Sequence, residues 1–295
     1  MLTGIHVVMI GGDARQIEIV RKLSTLDARV SLVGFEQIDV GFIGVSKQEM
    51  EDIDWKTVEA ILLPVGGIGS DGFINSVFSS EKIKLETKHL KQTPDNCTIY
   101  TGITSSRLDK MASQTKCHVV VLMNRNDVAI YNSIPTAEGA VMLVIQHTDS
   151  TIHQANIAVL GLGRIGMTIA RTFKELGAHV SIGDRDSASL ARAFELGLKP
   201  FHLDEIKQAL EQADVVINTI PAKVVTSSVL TEMKQHAFLL DLASKPGGID
   251  HDYAEKRGLK SMLVPGLPGM VAPKTAGKIL ANVLSDLLLE QTRTQ

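Results

Sequence analysis

The chain has 295 residues, 44% hydrophobic and 21% charged, an ordinary globular composition long enough for two domains. A formal net charge of −3, with no block of Lys and Arg, excludes the basic surface that nucleic acid requires. No apolar run reaches the roughly 18–20 residues of a membrane span, and the apolar start lacks a basic leader and cleavage site, so a cytoplasmic protein without membrane contact is expected.

Short apolar runs ending in Gly or Pro alternate with helical patterns along the whole chain, the signature of parallel sheets covered by helices. In the first half strands are predicted at IHVVMI (5–10), RVSLVGF (29–35), AILLP (60–64), CTIYTGI (97–103) and CHVVVLM (117–123). After the first comes GGDARQ (11–16), which lacks the third glycine of a dinucleotide turn. Gly12, Asp13 and Arg15 at a helix N-terminus there suit a small anion such as a carboxylate, although an ordinary strand-to-helix turn uses the same residues. PVGGIGSDG (64–72) adds glycine-rich backbone on the same edge, facing the cleft where two-domain proteins bind ligands. Cys97 and Cys117 are too few for a disulfide framework and read as small core residues.

SIPTAEGAVMLVIQHT places Pro135 near a helix start, with Ala137, Val141, Val144 and Ile145 on one face of a domain-spanning helix over 134–152. The second half repeats the pattern, with strands at NIAVLG (156–161), HVSIG (179–183), DVVINTI (214–220), AFLLDLA (237–243) and LKSMLVP (259–265). The fold class expected is α/β, two doubly wound parallel-sheet domains. The first takes residues 1–133 plus 270–295 and the second, a Rossmann domain, 153–269.

In that second half Gly161, Gly163 and Gly166 follow an apolar strand and open a helix, with Arg164 and Ile165 between them. A pyrophosphate on a helix N-terminus requires this turn and close approach. Asp184 lies eighteen residues beyond Gly166, at the end of the next strand, where a carboxylate meets the adenosine ribose. Asp184 points to NAD, while Arg185 and Ser187 beside it could hold the 2′-phosphate of NADP. NTIPA (218–222), with Thr219, Ile220 and Pro221, closes another strand where backbone runs along the ribose. DLASKPGG (241–248) ends the next at the depth of the nicotinamide. Ala243 is assigned there to the cofactor, and Ser244 and Lys245 are the catalytic candidates, against a solvated surface lysine as the alternative. No phosphate-loop, metal-ligand or nucleophile-elbow spacing occurs, so no metal is expected. The last helix, after Pro273, carries Ala276, Ile279, Leu280, Val283, Leu284 and Leu287 at helical spacing; it is expected to pack on the first domain or on a second copy of the chain in a possible homodimer.

GGDARQ, NSIPTAEGAVMLVIQHT, GLGRIG, NTIPA, DLASKPGGID, AEKRG and VPGLPGMVAPKTAGKI together resemble the family of dipicolinate synthase A subunits of spore-forming bacteria along nearly the whole chain. DLASKPGG and LPGMVAPKT are more distantly similar to the alanine dehydrogenase and 2-hydroxy-acid dehydrogenase architecture. The resemblance implies oxidation of dihydrodipicolinate, or its hydrated precursor from the lysine pathway, to dipicolinate in the sporulating mother cell, with the flavoprotein-like B subunit of dipicolinate synthase as partner. It implies NADP, although the usual Gly-Ala-Arg after the second Rossmann strand is replaced here by Gly-Asp-Arg, and Asp184 admits NAD. Removing a hydride and a proton from a dihydropyridine gives an aromatic ring, so the protein mainly has to orient the substrate. Its two carboxylates are expected on Arg15 with the GGDARQ helix and on Lys245 or Lys274. The other readings are a dehydrogenase of another small amino or hydroxy acid, and a non-catalytic nucleotide-binding protein that docks its partner.

Overall fold

The computed structural model describes residues 1–39 and 41–293. In chain order the elements are β1 (His6–Ile10), α1 (Ala14–Thr25), β2 (Arg29–Val33), β3 (Val45–Lys47), β4 (Ala60–Leu62), α2 (Thr87–Leu90), β5 (Thr98–Thr101), α3 (Ser106–Ser113) and β6 (His118–Val121). There follow α4 (Asn126–His147), β7 (Asn156–Leu160), α5 (Arg164–Glu175), β8 (His179–Asp184), α6 (Ser187–Glu195), β9 (Lys199–His202), α7 (Ile206–Leu210) and β10 (Val215–Asn218). The chain closes with α8 (Ser227–Leu230), β11 (Phe238–Asp241), α9 (His251–Lys256), β12 (Lys260–Leu263), α10 (Leu267–Val271) and α11 (Pro273–Arg293).

Two compact units result, one of Met1–Val128 with Pro273–Gln295 and one of Ala129–Ala272. The stretch 134–152, expected as an interdomain helix, falls inside the second unit, and the last helix joins the first. Each unit holds one six-stranded sheet, ordered β3-β2-β1-β4-β5-β6 and β12-β11-β10-β7-β8-β9. All pairings are parallel, with Val7 between Val30 and Ala60 in one sheet and Ala158 between Ser181 and Val216 in the other. In each the first strand of the unit is central and the strand order reverses beside it, which creates a ligand crevice at the carboxyl ends of the strands.

Strands buried on both faces need continuous apolar runs, and β1 is buried at all five positions. Val7 and Met9 pack toward Ile19 and Leu23 of α1 and Leu280 and Leu284 of α11, while Val8 and Ile10 pack toward Trp55, Leu90 and Leu108. In the second unit Ile157 and Val159 meet Ala140, Val144, Ile169 and Phe173, and Ala158 and Leu160 meet Ile206, Leu210 and Leu230 on the other face. Each such leucine buried contributes about 1.5–3 kcal/mol. Cys97 and Cys117 are buried free thiols.

Three readings of the sequence need correction. Strands β3 and β9, on sheet edges, are three and four residues long and carry no apolar run; Pro200 sits in β9, where an edge strand tolerates a missing N–H. Helix α4 begins at Asn126 and contains Pro135 in its interior. Beside the proline, which removes the bond to the Tyr131 carbonyl, the Ser133 hydroxyl donates to the Ile130 carbonyl at 2.6 Å and that of Thr136 to the Asn132 carbonyl at 2.7 Å. On this helix Ala137 and Val144 are core residues, but Ile145 is 62% exposed. Finally, α4 is long and apolar enough to cross a membrane by length and composition, with half of that window buried inside the protein. Its Ala137, Ala140, Leu143 and Val144 belong to the second unit's core, so it reads as a core helix.

Candidate functional site

The carboxyl edge of the second sheet is built around the turn from β7 to α5. Gly161 has φ +90°, and a Cβ there would stand 2.7 Å from the Thr219 hydroxyl oxygen. That hydroxyl donates to the Leu160 carbonyl at 2.8 Å, tying the end of β10 to the turn. A Cβ at Gly166 would fall 1.8 Å from the Gly161 carbonyl oxygen, so only glycine lets the helix pack this closely. Gly163 is different. A Cβ there would meet no protein atom within 4 Å, and as N-cap of α5 it provides no side-chain bond to the helix amides. No side chain at Gly163 caps α5, and an anion is the natural partner for such a helix N-terminus.

Asp184 ends β8 and its Oδ2 accepts from the Leu162 amide at 2.8 Å, within the same turn. Oδ1 accepts from the Arg185 and Asp186 amides at 2.7 and 3.0 Å. Arg185 is exposed and makes no ion pair among the described residues. Ser187 opens α6, whose N-cap Asp186 accepts from Ser189. The structure thus brings the glycine turn, Asp184, Arg185 and Ser187 together as the spacing predicted.

Two residues at this edge were not singled out in the sequence. Asp241, wholly buried at the end of β11, accepts from the Gly248 and Ile249 amides at 2.7 and 3.1 Å on one oxygen. Its other oxygen accepts from Ala243 N–H at 3.1 Å and from the Asn218 amide nitrogen at 2.8 Å. Asn218, also buried, donates in addition to the Ile220 carbonyl and accepts from the Ile220 amide. Together they fix the loops of Thr219–Pro221 and Ala243–Gly248. Four donors on one buried carboxylate replace its hydration. An Asn and an Asp ending otherwise apolar strands was the available signal. Ser244 and Lys245 stand exposed on the loop that Asp241 holds, and Lys245 has no hydrogen bond or ion pair among the described residues.

The first unit's equivalent turn is closed from within, which corrects the expectation of an anion on Gly12, Asp13 and Arg15. Asp13 caps α1, accepting from the Arg15 amide at 3.0 Å, and Gln16 Oε1 accepts from the Asp13 amide at 2.8 Å. The Arg15 guanidinium folds back on Asp13 with N···O distances of 2.6–3.2 Å. Burial pushes the Asp13 carboxyl upward, but these bonds from Arg15 outweigh it and hold it below the usual range. An anion here would compete with a carboxylate already in place. A Cβ at Gly12 would strike the Gln16 side chain at 2.5 Å, so this glycine serves the capping box. Lys274 is exposed in the first turn of α11, and Gly277 of that helix presses on the Arg15 backbone. Because α11 spends its apolar face on α1, that stripe gives no argument for a homodimer.

A cavity of about 1000 Å³ opens in the second unit beside Asn156, His179 and Lys199. These residues begin β7, β8 and β9, so it lies at the opposite end of the sheet from the glycine turn.

Comparison with known proteins agrees with this layout. The profile of the N-terminal domain of the dipicolinate synthase A subunit matches residues 6–123, and that of the alanine dehydrogenase/PNT C-terminal domain matches residues 104–295. The dipicolinate synthase A subunit of Bacillus subtilis (strain 168) is 54% identical over 290 residues, 98% of each chain. The chain belongs to the family of dipicolinate synthase A subunits. The solved A subunit from Bacillus halodurans superposes with a TM-score of 0.96 at 59% identity, covering 98% of this chain and 99% of that one. A solved L-alanine dehydrogenase shares the fold alone, with a TM-score of 0.62 at 18% identity over 97% of this chain and 92% of that one. Membership brings a dehydrogenase-like domain, which implies a nicotinamide cofactor, and a relative named as one component of a multi-subunit synthase, which implies a partner.

Proposed function

We propose that the protein oxidises dihydrodipicolinate, or its hydrated precursor, to dipicolinate with NADP, acting beside a flavoprotein-like B subunit in the cytoplasm of the sporulating mother cell. The observation that carries this reading is the N-terminus of α5, where Gly163 offers no side-chain cap, joined to Asp184 through the Leu162 amide. The residues fit the group: the α5 amides hold the pyrophosphate, Asp184 and Arg185 flank the ribose, and Thr219, Ile220, Pro221 and Ala243 supply backbone along the nicotinamide half. When bound, the dinucleotide accepts the hydride that leaves the dihydropyridine ring.

The remaining work falls to this chain. In the first unit Lys274 adds a cation for a carboxylate at the start of α11, and in the second Ser244 and Lys245 are the catalytic candidates, on a loop fixed by Asp241. NADP is favoured because three backbone amides already occupy the Asp184 oxygens, while the Arg185 guanidinium makes no ion pair among the described residues and is available to a 2′-phosphate.

The test is reduced-nicotinamide absorbance after mixing the protein with freshly generated dihydrodipicolinate and NADP or NAD, with and without the B subunit. Reduction in step with pyridine-dicarboxylate formation is expected, and Arg185→Ala should weaken NADP at least tenfold while leaving NAD unchanged. Product formed without nicotinamide reduction overturns the reading.

A further inference from the structure

The closed turn at Asp13 leaves open which group of the first unit receives a substrate carboxylate. On the same carboxyl edge of the first sheet, the loop after β4 lies against the loop after β5: a Cβ at Gly67 would fall 2.6 Å from the Ile103 carbonyl oxygen. Arg107, in the first turn of α3, lays its guanidinium over Gly72. A Cβ on Gly72, whose φ is +87°, would stand 2.6 Å from Arg107 Cζ and 2.9 Å from Nε and Nη1. The loop thus has a bare backbone where the guanidinium rests.

Arg107 has no hydrogen bond or ion pair among the described residues, although three acids lie nearby in the chain and the fold. Asp71 accepts from the Phe73 amide, Asp109 from the Thr104 hydroxyl, and Glu86 pairs with Lys84 and Lys88. Each acid is engaged elsewhere, and the fork of donors stays free. Arg107 also borders a groove of about 430 Å³ between α2 and α3, floored by Leu85 and Met111 and flanked by Glu86, Thr87, Lys110 and Gln114, with Glu86 already paired to Lys84 and Lys88. That volume lies in the range of small-ligand sites, and the lining is mostly polar, as a charged ligand requires. Lys110 follows Arg107 by three residues, on the same face of α3 about 5–6 Å away. Two carboxylates set either side of a ring nitrogen stand about one helical turn apart.

We propose that Arg107 and Lys110 are the dicarboxylate-binding pair of the first unit, Arg107 taking one carboxylate through its fork and Lys110 the other. This rests on the function proposed above and names the residues that set its substrate class. A planar guanidinium binds a carboxylate through two parallel bonds, which Lys cannot reproduce, so Arg107→Lys retains part of the affinity and Arg107→Gln little.

The experiment is calorimetric titration of the full chain with pyridine-2,6-dicarboxylate and with pyridine-2-carboxylate, beside steady-state kinetics on dihydrodipicolinate. Wild type is expected to bind the diacid at least tenfold better than the monoacid. Arg107→Gln and Lys110→Gln should each weaken the diacid at least tenfold and raise KM similarly, with kcat, nicotinamide affinity and melting temperature little changed. Arg107→Lys should fall between, and Lys110→Gln should erase the preference for the diacid. Diacid binding by Arg107→Gln equal to wild type overturns this assignment and leaves the proposed oxidation standing. Binding that depends on Arg107, in a protein that transfers no hydride, upholds the site and overturns the oxidation instead.

Discussion

The two units share one topology and differ at one turn. Both sheets run outward from a central first strand in the same order, and both enter their first helix through glycines. In the first unit the Asp13 side chain caps that helix and draws in Arg15; in the second the cap is Gly163, which has no side chain to offer. A carboxylate built into the turn occupies the place that no side chain fills in its counterpart, where the proposed function puts a pyrophosphate. Topology supplies a crevice in each sheet, and the chemistry of three or four turn residues decides whether it binds a nucleotide.

Substitutions can break that contrast, beginning with the severest. Gly166→Ala forces a methyl into the 1.8 Å approach to the Gly161 carbonyl oxygen. Overpacking of this kind costs about 1–3 kcal/mol, and the shifted turn should lose nucleotide binding at least a hundredfold by calorimetry. Asp241→Asn keeps the shape but presents an NH₂ to a site of four donors. It is expected to cost about 3 kcal/mol in urea unfolding and to lower kcat by unlocking the Lys245 loop.

Asp13→Ala in the first unit removes the cap, worth about 1 kcal/mol, and with it the partner of the Arg15 guanidinium. Nucleotide affinity should not change, because that turn is not the nucleotide site.

The last effect is silent at neutral pH and appears only as a pH slope. His6 opens β1, buried between the Thr57 and Ser31 hydroxyls at 2.8 Å each. Burial, with Arg29 nearby, lowers its pKa from 6.5 to about 4. The folded protein therefore holds this ring neutral while the unfolded chain protonates near 6.5. Stability should fall as pH drops from about 6.5 toward 4, by at most about 1.4 kcal/mol per pH unit from this group, and level off below. A His6→Asn variant should lose that part of the slope in melting curves between those pH values.

The second unit's turn was readable because strand, glycines, helix and the Asp184 spacing are all local features of sequence. The first turn was partly readable: Asp13 and Gln16 stand three apart, the spacing of a capping box, yet the same residues suit an anion site. What the sequence hid depends on contacts between distant segments. Asn218 and Asp241 act across twenty-three residues, and Arg107 meets Gly72 only through the folding of two loops. Pro135 misled because proline favours first helical turns; here it stands inside a helix that begins at Asn126. The edge strands β3 and β9 escaped notice because an edge needs no apolar run.

The central claim is that one turn, and only one, holds the nucleotide. It is tested most directly by calorimetric titration of wild type and Gly163→Ala with NADP. One nucleotide per chain is predicted for wild type. For the variant, whose new methyl meets no protein atom within 4 Å, the melting temperature should be unchanged and NADP affinity at least tenfold weaker. Two nucleotides per wild-type chain, or undiminished binding by the variant, would contradict the account.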